Sequence, residues 1–109
     1  NDGEDNWRET AILKASDQYD MNYFGHSISA FGNYIMVGAL GSNSEKGLVY
    51  IFKKGGVHKW KEIEILKPGN QAYYYHFGMS VLISGKYAMS NALVKASDGG
   101  RRGQVYVFY

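Results

Sequence analysis

The chain contains no cysteine and only one proline in 109 residues. Without thiols there is no disulfide framework, no thiolate metal site and no thiol nucleophile, so redox logic leaves the compartment undecided. With one proline against fourteen glycines, tight turns have to be made by glycine. No apolar run approaches the roughly 18 residues of a membrane-spanning helix. The acidic opening Asn1-Asp2-Gly3-Glu4-Asp5 lacks the basic flank and apolar stretch of a secretory leader, so the chain reads as soluble or already processed, with no membrane insertion. Charge of one sign is also scarce: twelve Lys/Arg and ten Asp/Glu give a formal +2, too balanced to drive binding to nucleic acid or to an anionic membrane. No Asn-x-Ser/Thr acceptor is present, and nothing suggests N-glycosylation.

What the chain has in abundance is aromatic residues, 16% of the total and led by ten tyrosines, within a 45% apolar composition. With the glycines, this is the make-up of short strands joined by tight turns, and it points to an all-β chain. The sequence also repeats. Trp7, Phe24-Gly25, Gly32, Tyr34 and Ala39 return 53 positions later as Trp60, Phe77-Gly78, Gly85, Tyr87 and Ala92. Over residues 7–40 against 60–93, 14 of 34 pairs are identical. The offset grows to 56 at Gly47 against Gly103, which places three extra residues in the second copy's segment 95–102; loops absorb insertions that strands cannot. A repeat of about 50 residues marks a unit that cannot bury its own faces and has to stack on copies of itself.

Each copy holds four strand candidates. The first follows Phe-Gly, at 26–30 and 79–83. The second, at 34–39 and 87–92, is separated from the first only by the turn formers Gly32-Asn33 and Gly85-Lys86, a hairpin signal. The third lies at 48–52 and 104–108, and the fourth begins at tryptophan, at 7–14 and 60–67. In the last of these Ile63 and Ile65 alternate with Glu62 and Glu64, predicting one apolar and one charged face. The chain order is therefore 4-1234-123. It predicts a tail at 1–6, an outer strand at 7–14, one complete four-stranded blade at 24–67 and a three-stranded partial blade at 77–109.

The motifs Phe24-Gly25-His26-Ser27-Ile28-Ser29, the segment 34–39, the glycine-led strand 47–52 and Trp60 with Leu66 resemble the FG-GAP repeat, the β-propeller blade also found in integrin α-subunits. The resemblance implies two propeller-type blades, an extracellular or cell-surface location and an adhesive or structural role. Many repeats of this kind carry an Asp-x-Asp-x-Asp-Gly calcium loop between the first and second strands. Here Phe31-Gly32-Asn33 and Ser84-Gly85-Lys86 stand in that place and lack the oxygen ligands a hard cation needs. The second copy also has Ser90-Asn91 where the first has Val37-Gly38.

No constellation of residues suggests catalysis, a metal or a cofactor, and the chain is expected not to be an enzyme. His26, His58 and His76 form no ligand spacing. Glu62 and Glu64, two apart on a strand, are expected on one face and cannot flank a substrate from opposite sides. Asp17 and Asp20 are acids without a defined loop. The run Tyr73-Tyr74-Tyr75 could stack on sugars or form an interface, or it could wedge between blades. Arg101-Arg102 and the lysines Lys53, Lys54, Lys59 and Lys61 make small basic patches that read equally as blunted strand edges. Tyr73, Tyr74, Tyr75, Arg101 and Arg102 are thus the candidate ligand or assembly surface. Trp7, Ile12 and Leu13 mark the strand expected to pair with a neighbouring chain, and Phe24, Phe77, Trp60, Tyr34 and Tyr87 are the expected blade core, with Trp7 buried at the position equivalent to Trp60.

Two blades cannot close a propeller, which needs four to eight. The expected partners are copies of the same chain, joined head to tail into a filament or a closed ring. The alternative is a carbohydrate-binding, lectin-like module with glycans as partners. Because the calcium-loop acids are missing, chelator is expected to leave the melting temperature unchanged. A fall of more than about 5 °C would reveal a metal site.

Overall fold

The computed structural model describes residues 7–16, 23–41, 46–69, 74–95 and 98–109. They form eight strands and no helix: β1 (Phe24–Phe31), β2 (Tyr34–Ala39), β3 (Leu48–Gly56), β4 (Lys59–Leu66), β5 (Tyr74–Tyr75), β6 (Val81–Ser84), β7 (Tyr87–Lys95) and β8 (Arg101–Phe108). The first four make an antiparallel meander in the order β1-β2-β3-β4. In the second sheet β7 is central, with β8 on one side and both β5 and β6 on the other. Four strands there occupy three lanes, because β5 and β6 are one edge strand interrupted by the Phe77-Gly78 turn. The same interruption is milder in β1, where the register shifts between Phe24 and Ser27.

The turn itself is built twice in the same way. Gly25 and Gly78 have φ of 92° and 97°, and the residues two before them, Tyr23 and His76, sit at 56° and 59°. The amide of His26 donates to the Tyr23 carbonyl at 3.0 Å, as Met79 does to His76 at 3.1 Å. A non-glycine residue held at positive φ twice, at equivalent positions, shows that the surrounding packing fixes the turn.

Two apolar layers result. The first lies between the sheets, where Met36 and Val49 of the first blade meet Tyr74, Phe77, Ile83, Ala88 and Ala92 of the second. The second layer covers the far face of the first blade with Val37, Ala39, Leu48, Tyr50 and Phe52, capped by Ala15 and Leu13 of the N-terminal segment. Equivalent aromatics occupy equivalent places. Phe24 meets Tyr50 and Phe52 edge-on at 5.4 and 6.1 Å, and Phe77 meets Tyr106 and Phe108 edge-on at 5.8 and 6.0 Å. Only Phe77 is fully buried, since only it has a blade on top of it.

Three expectations need correction. A bulge opposite Ile51 and Phe52 breaks the alternation of β4, so Ile63 and Ile65 end up partly exposed. It also puts the two glutamates on opposite faces: Glu62 accepts from the Ser16 amide and hydroxyl at 3.1 and 2.9 Å, while Glu64 lines the cleft between the sheets. The segment 95–102 is not all loop. Lys95 pairs with Arg101 and Val94 with Arg102, so the inserted residues lengthen a hairpin, which satisfies backbone groups that a loop would leave to water.

Replacing Phe77 by Ala is expected to cost about 3–5 kcal/mol, and Phe24→Ala clearly less because its ring is half-covered. Denaturant midpoints of the two variants check this, and equal losses would refute the asymmetry.

Candidate functional site

The surfaces left uncovered are the informative ones. β8 has β7 as its only strand partner among the described residues, so its outer edge presents unpaired backbone groups. Beside it, an open cleft of about 620 Å³ runs between the sheets, lined among others by Tyr34, Ile51, Leu66, Ile83, Tyr87 and Phe108. In the first blade, the lane next to the third strand is filled by β4. In the second blade, nothing in the described residues fills it.

Residues 7–14, expected as an outer strand, are not paired as one in this single chain. Trp7 is 78% exposed and Ile12 69%, which corrects the expectation of a buried Trp7. Its equivalent, Trp60, is half-buried because β3 and the far-face cluster lie against it. Trp7 has no such wall among the described residues. Leu13 nevertheless packs on the far face of the first blade as its repeat equivalent Leu66 packs on the cluster between the sheets.

Of the expected core residues, Phe77 is fully buried, and Phe24, Trp60 and Tyr34 are half-buried. Tyr87 is 50% exposed, its ring tilted at 55° against that of Tyr109 at 5.3 Å; among the described residues, the face that covers Tyr34 in the first blade has no counterpart over Tyr87. Tyr73, Asp17 and Asp20 lie outside the described residues. Tyr74 is buried, with the Lys46 ammonium 5.7 Å from its ring centre. Tyr75 and Arg101, well apart in sequence, are brought together: the guanidinium lies 5.1 Å over the ring, a cation–π contact. Arg102 pairs with Asp98 at 3.1 Å on the surface, where an ion pair contributes little. The tyrosine run therefore divides between core and a ring whose face Arg101 already covers. His26, His58 and His76 fall on three separate elements, and no three metal-binding side chains converge among the described residues. Lys53 and Lys61, two of the lysines expected to make a basic patch, face each other across the β3–β4 hairpin.

Residues 7–52 match the model of the FG-GAP repeat. Over these residues the chain is similar to the FG-GAP repeat. No curated protein and no solved structure matches the chain. The matched unit starts at Trp7 and ends with the third strand, so the FG-GAP unit of the sequence is out of phase with the sheet that folds from it. Its Phe-Gly pair forms the first turn described above, and residues 7–14, at its start, are not paired with the sheet that its other strands form.

The hydroxyl of Tyr106, in the second FG-GAP-like copy, is pushed above its usual range by burial and then by the neighbouring Tyr74, and it donates to Gln104 at 2.9 Å. A raised folded-state value favours the neutral phenol. That contribution to stability is complete below the unfolded value of about 10 and is lost as pH rises through the folded value. Tyr106→Phe is therefore expected to flatten the loss of stability above about pH 10, measured as denaturant midpoint against pH. An unchanged slope would show that other groups carry it.

Proposed function

We propose that this chain is a non-enzymatic structural or adhesive module of the cell exterior that joins copies of itself head to tail. Residues 7–14 of one copy complete the second blade of another by pairing along its β8. The observation that carries this reading is the complementarity of two unfinished elements. One is a three-lane sheet with an unpaired β8 edge. The other is a segment carrying exposed Trp7 and Ile12, with Leu13 packed on the far face of the first blade. Joining them satisfies backbone donors and acceptors on both sides, as strand addition does elsewhere. The extracellular setting follows the FG-GAP repeat, which is characteristic of surface proteins. Within one chain the same pairing would need a ring of two blades, below the four of the smallest propellers. A head-to-tail contact closes into a ring or continues as a filament according to the rotation per step.

The test is native mass by light scattering on the full chain, on a version lacking residues 1–14, and on Ile12→Pro, which removes one ladder donor. The full chain is expected to form an oligomer and both variants to run as monomers with an unchanged β-type circular dichroism spectrum. The same oligomer from either variant would overturn strand exchange.

A further inference from the structure

Inside the chain the two blades meet through a well-defined joint. The Phe77-Gly78 turn enters the first blade beside Gly38 and Gly47, where a Cβ on either glycine would overlap the backbone of Phe77 or Gly78. The Phe77 amide donates to the Lys46 carbonyl at 2.8 Å. The Ser27 hydroxyl donates to the Gly78 carbonyl at 2.8 Å, and the Ser29 hydroxyl accepts from the Ile83 amide at 3.1 Å. Met36 and Val49 pack in the same cluster as the Phe77 ring.

Shifted by the repeat offset, this receiving face becomes the outer face of the second blade. Ser27, Ser29, Met36, Gly38 and Val49 map onto Ser80, Leu82, Met89, Asn91 and Val105. Those five residues line one hollow of about 250 Å³, and the apolar side chains on that face are uncovered, Val105 at 67% and Val107 at 59%. The complementary half of the joint also recurs. On the far face of the first blade, Phe24 meets Tyr50 and Phe52 in the geometry that Phe77 adopts with Tyr106 and Phe108. Ile28, the equivalent of the packed Val81, is 69% exposed.

We propose that the hollow on the outer face of the second blade receives the Phe24-Gly25 turn of a second copy, and that Asn91 sets the strength of that joint. The proposal rests on the head-to-tail reading above and adds a face-to-face contact to its strand pairing. The second copy is singled out as occupant because the bare outer face of the second blade and the far face of the first, capped in part by Leu13 and Ala15, are repeat equivalents of the two halves of an interface the chain already makes. The second joint is the looser one. Where Gly38 leaves room for a carbonyl, Asn91 carries a side chain, and its amide oxygen is tied to the Ser80 amide at 3.0 Å. Leu82 replaces the hydroxyl of Ser29 with an apolar group. The Ser80 hydroxyl, which donates to the Asn91 amide oxygen at 3.5 Å, would turn to the incoming Gly25 carbonyl, as Ser27 donates to Gly78.

The experiment is the dissociation constant of self-association for the full chain, by sedimentation velocity over a concentration series, with melting temperatures as a folding control. Asn91→Gly is expected to tighten association about tenfold by relieving the overlap. The double variant Val105→Asp, Val107→Asp, at exposed positions, is expected to abolish it while Ile12→Pro also weakens it. If Ile12→Pro dissociates the oligomer but the double aspartate variant does not, the face contact is overturned and strand exchange stands. If Asn91→Gly leaves the constant unchanged, the turn does not enter this hollow and the proposal fails. A wild-type chain and an Asn91→Gly variant that both stay monomeric up to about 1 mM would overturn the proposal and the head-to-tail reading together, leaving the face to a different protein.

Discussion

The close approach of the Phe77-Gly78 backbone to Gly38 and Gly47 is the contact on which the two-sheet arrangement depends. Backbone can meet backbone only where no Cβ intervenes, and both receiving positions are glycines whose added Cβ would overlap that turn. The approach places the Phe77 ring in the centre of the apolar layer and aligns the amide and carbonyl of the turn with Lys46 and Ser27. The Ser90 hydroxyl closes the turn from its own sheet, accepting from Gly78 and donating to the Ser80 carbonyl, each at 3.0 Å. A buried hydroxyl in place of Val37 thus has both a donor and an acceptor role filled.

Everything that is uncovered follows from the same stacking logic. A sheet in a stack needs a neighbour on each face, and this chain supplies one interface for two sheets. Among the described residues, the first blade is covered on one face by the second, and on the other only by Leu13 and Ala15 of the N-terminal segment. The second blade is covered on one face and bare on the other. Exposed apolar residues gathered on one strand face, as Val105 and Val107 are, differ from singly scattered ones and mark a surface for association.

The phase between sequence and sheet gives this arrangement its character. The FG-GAP match over residues 7–52 begins ahead of the first sheet and ends within β3, so β4 lies outside the matched unit. In the proposed assembly a unit offset in this way would link consecutive blades by backbone pairing as well as by side-chain packing.

The sequence by itself determined β1 to β4 and β6 to β8 and their order, though not the short β5 and not the unformed strand expected at 7–14, because the turns that separate them are written in local residues: Gly32-Asn33, Gly85-Lys86 and the two Phe-Gly pairs act over a few positions each. The complete blade at 24–67 and the equivalence of Phe24 with Phe77 were legible for the same reason. Tertiary structure alone decided which equivalent aromatic is buried. Phe77 and Phe24 have the same local sequence role, yet burial depends on whether a second sheet lies above the ring, and that neighbour comes from a distant part of the chain. The β4 bulge, which parts Glu62 from Glu64, depends on how β3 pairs. The meeting of Tyr75 with Arg101 depends on a hairpin that only pairing with β7 extends. Strand identity is a short-range property, whereas face, register and cover are set by partners, and so could be read only once the partners were in place.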